Sequence, residues 1–275
     1  MNALQQSLAI GPAGVSLSQI FMLLALLTAL ATGALLGRRR STSVGDTLLN
    51  ALLIGIAGAR ILFVLLYHDS YDSLWQMVDI RDGGFQIGGG IATAALYTGW
   101  ALWRHPPQRV ALSGGLAAGV LTWGLLAAAV VAMSELSPPL PDAPLLTLDG
   151  ETVSLADLAR REQKPLVVNI WATWCPPCIR EMPVFAEAQR TRRDITFAFA
   201  NQGENPQLVA EFLHRGNLEL DHILLDQHGQ LSAAVGARVL PTTLFYDAEG
   251  RLVHTHIGEL SRATLDRGLK LLTGP

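Results

Sequence analysis

Residues 166–178 read LVVNIWATWCPPC and contain the two cysteines of the chain, Cys175 and Cys178. Residues 166–170 are apolar and mostly β-branched or aliphatic, which favours a strand, and a helical pattern follows over about residues 179–190. A Cys-x-x-Cys pair between a strand and a helix is typical of a redox-active dithiol, although a cysteine pair can also be half of a zinc site. The other residues of the chain distinguish between a redox-active pair and a zinc site.

The composition of the chain changes sharply at about residue 134. Residues 1–133 are mostly Leu, Ala, Gly, Ile and Val with few charges, whereas residues 134–275 have the mixed composition of a soluble domain. The net charge of -3 gives no electrostatic footprint for nucleic acid, so we expect no nucleic-acid partner. We predict a transmembrane helical domain over residues 1–133, a linker over 134–144 and a soluble domain over 145–275.

The membrane half contains four long apolar stretches. A helix needs ~20 mostly apolar residues to cross a bilayer. The stretches are residues 16–37, 44–67, 85–103 and 110–133. No Lys or Arg precedes the first stretch and three arginines follow it, which is the reverse of a cleaved secretory signal. We therefore predict an all-α bundle of about four transmembrane helices.

Arginine is distributed unevenly between the predicted loops. Arg38, Arg39 and Arg40 follow the first span, and Arg104 and Arg109 lie between the third and fourth. The intervening loop has a single arginine against four aspartates. The positive-inside rule places the arginine-rich loops in the cytoplasm. We expect a multi-pass protein of the bacterial inner (cytoplasmic) membrane, with its C-terminal domain in the periplasm.

Two polar residues and several glycines stand out within the spans. Asp46 occupies the first turn of the second span, where a carboxylate suits a helix N-terminus. Arg60 lies about two turns from the outer end of that span, and could snorkel, pair with an acid or bind an anionic lipid headgroup. Glycines are frequent in the last two spans, at Gly88, Gly89, Gly90, Gly114, Gly115, Gly119 and Gly124. Small residues of this kind favour close helix packing in lipid.

The membrane half resembles the N-terminal half of the prolipoprotein diacylglyceryl transferases over about residues 40–130. The resemblance is carried by residues 58–62 (GARIL), Tyr67 and residues 83–89 (GGFQIGG). The family has a histidine that matters for activity in the second motif, and Ile87 stands at that position here. The family's later spans, with their arginine-rich catalytic signature, have no counterpart in the membrane half. The resemblance therefore implies a shared membrane scaffold without lipid transfer.

The second half of the chain alternates strand and helix patterns. The linker 134–144 carries four prolines, which block helix continuation. Asp149-Gly150 lies between two β-prone runs and is a hairpin signal. Strands are expected over residues 166–171, 195–200, 222–225, 242–246 and 252–257, and helices over 155–160, 175–190, 206–215, 230–235 and 261–272. This order predicts an α/β domain with a mixed central sheet that ends in a β-hairpin.

Over about residues 140–273 the chain resembles the TlpA/ResA type of thioredoxin-fold thiol:disulfide oxidoreductases. The matching residues are Trp174-Cys175-Pro176-Pro177-Cys178, Glu181, Pro183 and Val239-Leu240-Pro241-Thr242-Thr243. The resemblance implies a thioredoxin-like fold. It also implies a cis peptide bond at Pro241, which would pack beside the cysteines, and an acid near the active site at Glu181. Asn169 takes the position at which cytoplasmic thioredoxins carry a buried aspartate.

The chemistry of disulfide exchange requires residues of these types in this order. Only a thiolate attacks a disulfide, and the N-terminus of a helix would stabilise the thiolate of Cys175. Pro176 and Pro177 suit the start of a helix, where missing N–H groups cost little. Cys178, one turn further in, would be more buried and would resolve the mixed disulfide. Glu181 either tunes the thiol pKa values and shuttles a proton, or is a glutamate that the helix dipole favours near an N-terminus.

The remaining candidate residues have simpler interpretations. We expect Trp174 to shape the substrate surface and Trp171 to lie in the core. A zinc site needs two ligands besides the cysteines, and His254 and His256 could supply them only from another edge of the domain. His214, His222 and His228 are expected on the surface. We therefore expect no metal and no cofactor other than the Cys175–Cys178 disulfide.

The sequence favours a membrane-anchored, periplasm-facing thiol–disulfide oxidoreductase, and the resemblance favours a reductant of specific protein disulfides. Targets that it implies are apocytochrome c during cytochrome c biogenesis, copper-site assembly proteins and oxidised cysteines. The membrane half contains no cysteine, so a separate transmembrane electron donor of the DsbD or CcdA type is implied. Three alternatives stay open: a disulfide-forming oxidant, a lipid-handling transferase with an appended redox domain, and a membrane half that binds membrane lipid or docks a partner.

Overall fold

The computed structural model describes residues 7–10, 13–38, 42–133 and 140–273. Two compact units are present, one of which is the helical segment Leu17–Met133, and the other contains the α/β domain. A short antiparallel pair of strands, β1 (Ser7–Ile10) and β2 (Ala13–Ser16), precedes the helices. Arg39 and Arg40, and residues 134–139 of the predicted linker, lie outside the described residues.

The helical unit contains four long helices that coincide with the four predicted spans. They are α1 (Leu17–Arg38), α2 (Gly45–Leu66), α4 (Ile87–Arg104) and α5 (Arg109–Met133). A short helix, α3 (Leu74–Val78), lies between α2 and α4, and 3₁₀ turns occur at His68–Ser70 and Pro106–Gln108. Asp46 lies in the first turn of α2, as predicted.

Three helices of the described chain are long and apolar enough to cross a membrane. These stretches are Ile20–Arg38, Gly45–Leu66 and Pro106–Ala129. Helix α4 has 18 residues, among them several glycines and Arg104, which makes it shorter and less apolar than the other three. Its crossing of the membrane therefore stays a prediction.

Glycine contacts join the long helices into two pairs, α1 with α5 and α2 with α4. A Cβ atom on Gly115 would lie 2.7 Å from the carbonyl oxygen of Ala29, and one on Gly58 would lie 2.1 Å from Thr93 Oγ1. Only glycine allows such an approach, which is how small residues stabilise helix pairs in lipid. Gly124, in contrast, has no neighbour within 4 Å of that position and does not contribute to this packing.

The α/β domain follows the predicted order closely, with element ends that shift by about two residues or fewer. Its strands are β3 (Leu145–Thr147), β4 (Thr152–Val153), β5 (Leu166–Trp171), β6 (Thr196–Gln202), β7 (Ile223–Asp226), β8 (Thr242–Tyr246) and β9 (Leu252–Ile257). Its helices are α6 (Leu155–Glu162), α7 (Pro176–Thr191), α8 (Pro206–Arg215), α9 (Gln230–Ala234) and α10 (Arg262–Thr273).

The strands form one mixed sheet in the order β4-β3-β7-β6-β5-β8-β9. Strands β5, β6 and β7 are parallel, and the neighbours on either side are antiparallel, so the predicted mixed sheet is confirmed. The predicted hairpin at Asp149-Gly150 joins β3 and β4, and Gly150 has a φ of 85°, which favours glycine. The last two strands, β8 and β9, also pair antiparallel, as predicted.

Strand β5 runs through the centre of the domain and all six of its residues are buried. Successive side chains of a strand point to opposite faces, so β5 contributes to two cores. Val167 and Trp171 belong to a core with residues of α7, α8 and α10, and Val168 and Ile170 belong to a core with residues of α6 and α9. The first core includes both cysteines, so the predicted redox pair is packed against the interior of the domain.

Candidate active site

Cys175 and Cys178 form a disulfide at the N-terminus of α7, with Cα atoms 5.3 Å apart. The loop 172–174 leads from β5 to Cys175, which is the N-cap residue of α7. Cys175 is 3% exposed and Cys178 is 0% exposed, so Cys178 is the more buried of the two, as predicted. Of the two cysteines, Cys175 is thus the more accessible to solvent.

The first turn of α7 offers its free N–H group to the sulfur of Cys175. Pro176 and Pro177 occupy the first two helical positions and have no N–H to donate. The first remaining donor is the backbone N–H of Cys178, which points at Cys175 Sγ at 3.4 Å. Negative charge that develops on this sulfur when the disulfide opens is stabilised by this N–H and by the helix dipole.

Glu181 lies one turn beyond Cys178 and is completely buried. Its Oε1 accepts a hydrogen bond from Asn169 Nδ2 at 2.8 Å, and its Oε2 accepts one from the backbone N–H of Leu260 at 2.8 Å. Burial nevertheless raises the pKa of Glu181 to about 8, because two neutral donors do not replace the water that a carboxylate loses. At neutral pH this carboxyl group therefore holds a proton close to the disulfide.

Asn169 connects Glu181 to the neighbouring strand. Its Nδ2 also donates to Thr243 Oγ1 at 3.0 Å, and Asn169 and Thr243 are paired residues of β5 and β8. Within the described chain Asn169 Oδ1 is buried without a hydrogen-bond partner. Asn169 thus donates to Glu181 through Nδ2, and its acceptor Oδ1 belongs to the same side-chain amide.

A second buried carboxylate, Glu204, holds the loop that precedes Cys175. Its Oε2 accepts hydrogen bonds from the backbone N–H of Thr173 and from Asn201 Nδ2, both at 2.7 Å, and its Oε1 accepts one from Thr173 Oγ1 at 2.5 Å. Glu204 was not predicted as a site residue from the sequence. An acidic residue two positions after the end of β6 was the available signal, because β5 and β6 are parallel and end at the same edge of the sheet.

The loop after β9 was also missed as part of the site. Arg180 on α7 donates two hydrogen bonds to Glu259, from Nε at 3.0 Å and from Nη2 at 2.5 Å to Oε2. This pair fixes the loop whose next residue, Leu260, donates its N–H to Glu181. A contact of this kind joins residues that are 79 positions apart, so no local pattern in the sequence indicates it.

The other predicted site residues lie on the elements that the sequence assigned to them. The peptide bond between Leu240 and Pro241 is cis, as the resemblance implied, and Leu240 packs against the core that contains both cysteines. Trp174 is 67% exposed beside Cys175, whereas Trp171 is fully buried, as predicted for a surface and a core residue. Pro183 lies inside α7. The side chains next to Cys175 thus present an apolar surface.

The histidines of the domain are not arranged to bind a metal. His254 and His256 lie on β9, and burial lowers the pKa of His254 to about 4 and that of His256 to about 3. His214 and His228 are exposed, and His222 is half-buried, 3.8 Å from Glu162. A search of the described residues for three or more clustered His, Cys, Asp or Glu side chains that could hold a metal ion found none.

In the helical unit, Arg60 is buried and pairs with Asp82 at 3.0 Å, so the pairing predicted as one of its alternatives is confirmed. Ile87, at the position where the resemblance expects a histidine, is the first residue of α4 and is 73% exposed. A hydrocarbon side chain has no acid–base chemistry. Ile87 therefore cannot act as an acid or a base, whereas the redox-active type of side chain, the Cys175–Cys178 disulfide, lies at the N-terminus of α7.

Two family models match the chain, one in each half. Residues 136–269 match the model described as Redoxin, and residues 5–130 match the model of prolipoprotein diacylglyceryl transferase. The two matches divide the sequence at the same place as the change in composition.

Curated relatives resemble the C-terminal half. The chain is 31% identical over 135 residues to the thioredoxin-like protein YneN of Bacillus subtilis, covering 48% of this chain and 76% of the relative. It is 32% identical over 130 residues to the thiol-disulfide oxidoreductase ResA of Halalkalibacterium halodurans, covering 46% of this chain and 70% of the relative. The solved structure of MTB dsbF, in its mixed oxidized and reduced forms, matches 50% of this chain and 100% of its own with 27% identity and a TM-score of 0.45.

Proposed function

Through its C-terminal half the chain belongs to the redoxin family of thiol–disulfide oxidoreductases, and on this premise we propose that Cys175 and Cys178 are its redox-active pair. The observation that carries the proposal is the disulfide at the N-terminus of α7, in which Cys175 is 3% exposed and Cys178 is 0% exposed. No metal or other cofactor takes part in the proposed reaction.

The proposed reaction transfers two electrons in two exchange steps. The thiolate of Cys175 attacks one sulfur of a target disulfide, and the other target sulfur leaves as a thiolate that takes up a proton. Cys178 then loses its proton and attacks Cys175, which releases the second target sulfur and closes the Cys175–Cys178 disulfide. The helix N-terminus lowers the cost of the thiolate on Cys175 in the first step, and the burial of Cys178 leaves Cys175 as the cysteine that a target disulfide can reach.

Glu181 is proposed to tune the thiol pKa values or to shuttle a proton for Cys178. Only the ionised form of Glu181, which is the minor form at neutral pH because its pKa is about 8, accepts the proton that Cys178 loses. A general base works best when its pKa is close to the working pH, and burial raises the pKa of Glu181 to about 8. Titration of the Cys175 thiolate in Glu181→Gln tests this role, with Glu187→Gln on the exposed side of α7 as control. A thiolate titration that is the same in Glu181→Gln as in wild type removes Glu181 from the mechanism.

The direction of electron flow is proposed to be reduction of specific protein disulfides, with apocytochrome c, copper-site assembly proteins and oxidised cysteines as target classes. Trp174 at 67% exposure and Ile179 at 41% flank Cys175 with apolar surface, which suits a polypeptide target. The reduction potential tests the direction. A value near that of thioredoxin, about -270 mV, supports a reductant, and one near about -120 mV indicates the alternative, a disulfide-forming oxidant.

The helical unit is proposed to anchor the redox domain in the bacterial inner membrane, with α1, α2, α4 and α5 as four crossings. Arg38 ends α1, Arg104 ends α4 and Arg109 begins α5, so basic residues gather at one side. Trp100 and Trp103 are 51% and 73% exposed close to Arg104, as expected of an aromatic belt at the interface. The redox domain would then face the periplasm.

An external electron donor completes the proposal. The membrane half has no cysteine, so it cannot carry electrons across the bilayer by thiol exchange. A separate transmembrane reductant of the DsbD or CcdA type would regenerate the dithiol. A reporter fused after Pro275 that is active only when exported tests the orientation, and activity of a cytoplasm-only reporter at the same position contradicts it.

Insulin reduction tests the chemistry itself. The wild-type chain is expected to catalyse reduction of insulin by dithiothreitol, and Cys175→Ser is expected to abolish this activity. Glu187→Gln, further along α7, serves as a control that keeps both cysteines and the apolar surface at Trp174. Activity that persists in Cys175→Ser would refute the role of this cysteine as the nucleophile.

A further inference from the structure

The guanidinium group of Arg60 is fully used by the loop between α2 and α4. A guanidinium has five N–H donors. Nε donates to Met77 O at 3.0 Å, Nη1 donates to Asp82 Oδ1 at 3.0 Å and to Gly84 O at 2.8 Å, and Nη2 donates to Gln76 O at 3.2 Å and to Asp79 O at 2.5 Å. No donor is left for a lipid headgroup, so this arginine determines the position of the loop.

The acceptors of Arg60 include the C-terminal end of α3. The last carbonyl groups of a helix have no partner within the helix. Three of the accepting carbonyls belong to Gln76 and Met77 in the last turn of α3 and to its C-cap residue, Asp79. A cation at this end also complements the helix dipole. The side chain of Arg60 therefore caps α3, and the C-terminal end of α3 faces α2.

The contacts of Arg60 lie at a level within α2, before the C-terminal end of this helix, and not beyond that end. Helix α2 ends at Leu66, so the Cα atom of Arg60, six residues earlier, is ~9 Å short of that end at 1.5 Å per residue. The loop passes the same level of α2 again on its way to α4, because the backbone N–H of Gln86 donates to Ala59 O at 2.9 Å. A Cβ atom on Gly84 would lie 2.5 Å from both Arg60 and Phe63, so the backbone passes close beside α2 there.

At this level α3 presents an apolar face away from the protein. Leu74 is 77% exposed, Trp75 84% and Val78 69%, and Ile80 just beyond the helix is 60% exposed. At 100° per residue the three helical side chains fall within a 100° arc, so they share one face. This face contains no charged residue.

The neighbouring surface of α2 is of the same kind. Ile61 and Leu65, at the level of Arg60 and one turn further out, are 60% and 64% exposed. If α2 crosses the bilayer, these side chains face the outer part of the hydrocarbon, and the apolar face of α3 lies at the same height. Tryptophan is enriched at this boundary, and short amphipathic helices bury their apolar face in it.

We propose that the segment Leu74–Ile80 is an interfacial anchor that inserts Leu74, Trp75 and Val78 into the lipid at the boundary between headgroups and hydrocarbon. The inference rests on the proposed crossing of the membrane by α2. Its ligand is the lipid surface of the bilayer that holds α2. Arg60 sets the depth of the anchor, because its five hydrogen bonds tie α3 to a fixed level of α2.

Depth measurements on spin-labelled full-length protein test this proposal. Cys175→Ser and Cys178→Ser remove the native thiols, and single cysteines at Trp75 or Val78 then carry a nitroxide in vesicles of phosphatidylcholine and phosphatidylglycerol. Collisions with oxygen report exposure to lipid, and collisions with a water-soluble nickel chelate report exposure to water. Leu53→Cys, at a position 62% exposed on α2, and Asp69→Cys in the loop provide the lipid and water references.

The oxygen-to-nickel collision ratio at both anchor positions is expected to exceed that at Asp69 roughly tenfold and to stay below that at Leu53, because the apolar face is buried ~5–10 Å into the boundary. A ratio equal to that at Asp69 places α3 in water and overturns the anchor. Low collision rates with both reagents indicate contact with another protein and also overturn it. If Leu53 itself is accessible to nickel, the proposed crossing by α2 has failed, and this outcome is distinct from failure of the anchor alone.

Discussion

Replacement of Glu181 by Gln should remove a pH dependence of stability from the redox domain. The carboxyl group is fully buried, and burial raises its pKa to about 8 from an ordinary value of 4.5. Between these two values the folded domain keeps a proton that the unfolded chain releases. The contribution of Glu181 to stability is therefore fully present below pH 4.5 and is lost as the pH rises toward 8.

The size of the effect follows from the linkage relation. Each pH unit between the two pKa values corresponds to ~1.4 kcal/mol, so the whole interval corresponds to ~5 kcal/mol. Between about pH 5 and about pH 7.5 the loss amounts to ~3 kcal/mol, once the ends of the two titration curves are included. A glutamine side chain has no proton to release, so the variant lacks this slope. His254 and His256, whose pKa values are lowered by burial, give a slope of opposite sign in acid, but it is present in both proteins and cancels in the difference.

Urea unfolding of the oxidised domain, residues 140–275, measures this difference. This segment carries both hydrophobic cores of the α/β fold, which makes it suited to study alone. The free energy of unfolding of Glu181→Gln should increase relative to that of wild type by ~3 kcal/mol from about pH 5 to about pH 7.5, because only wild type loses stability over this interval. Glu187→Gln, which alters a carboxylate that is 43% exposed on the same helix, should follow the wild-type slope. Parallel pH profiles for wild type and Glu181→Gln would refute the raised pKa.

Three further substitutions, two of them with a matched control, separate the site, the surface and the membrane loop. Glu204→Gln should destabilise the domain by ~3 kcal/mol and slow insulin reduction, because hydrogen bonds to a buried carboxylate are lost next to Thr173. Asp226→Asn, which disturbs the buried cap of α9, should lower stability by a similar amount in urea unfolding but leave the rate of insulin reduction unchanged. Trp174→Ala should change stability by less than ~0.5 kcal/mol but lower kcat/KM for a protein disulfide, since this side chain is mostly exposed. Arg60→Lys should accelerate hydrogen exchange of the amides of Leu74–Gly84 by ~10-fold or more, because at least one net hydrogen bond to the loop is lost. Arg81→Lys, in the exposed part of the loop, should leave this exchange rate unchanged.

The secondary structure of the α/β domain could be predicted because its local signals agree with one another. The helix Pro206–Arg215 and the strands Thr242–Tyr246 and Leu252–Ile257 have the expected ends. Proline begins the first of these, and alternating β-prone residues form the other two. Cys175 and Cys178 could be predicted as a pair for the same reason, since both cysteines, the helix start and the strand before it are all encoded within residues 166–178.

The hydrogen bonds that hold the site residues in place could not be predicted, because they join residues that are distant in sequence. Glu181 receives a hydrogen bond from Leu260, 79 positions away, and Glu204 holds Thr173 from 31 positions away. Composition and periodicity carry no information about such pairs. The raised pKa of Glu181 was likewise beyond the sequence, because it depends first on complete burial, which outweighs the hydrogen bonds from Leu260 and Asn169.

The membrane half was predicted in outline and incompletely in detail. Apolar length alone gave the long helices, but α3 has five residues and is too short for a periodic pattern to indicate it. Arg60 was assigned several roles, namely snorkelling, pairing or binding an anionic lipid headgroup. Only the fold shows that it pairs with Asp82, one of the four aspartates of the loop. The distribution of charge identified the loop as acidic but gave no sign that its backbone caps a buried arginine.

The most direct test of the proposed exchange mechanism is to trap the mixed disulfide in cells. In the full-length Cys178→Ser variant, Cys175 can attack a target but the resolving thiol is missing, so adducts should accumulate that dissociate on treatment with a thiol reductant. Cys175→Ser should give no such adducts. Adducts that are equally abundant in both variants, or their absence from Cys178→Ser, would contradict the assignment of Cys175 as nucleophile and Cys178 as resolving cysteine.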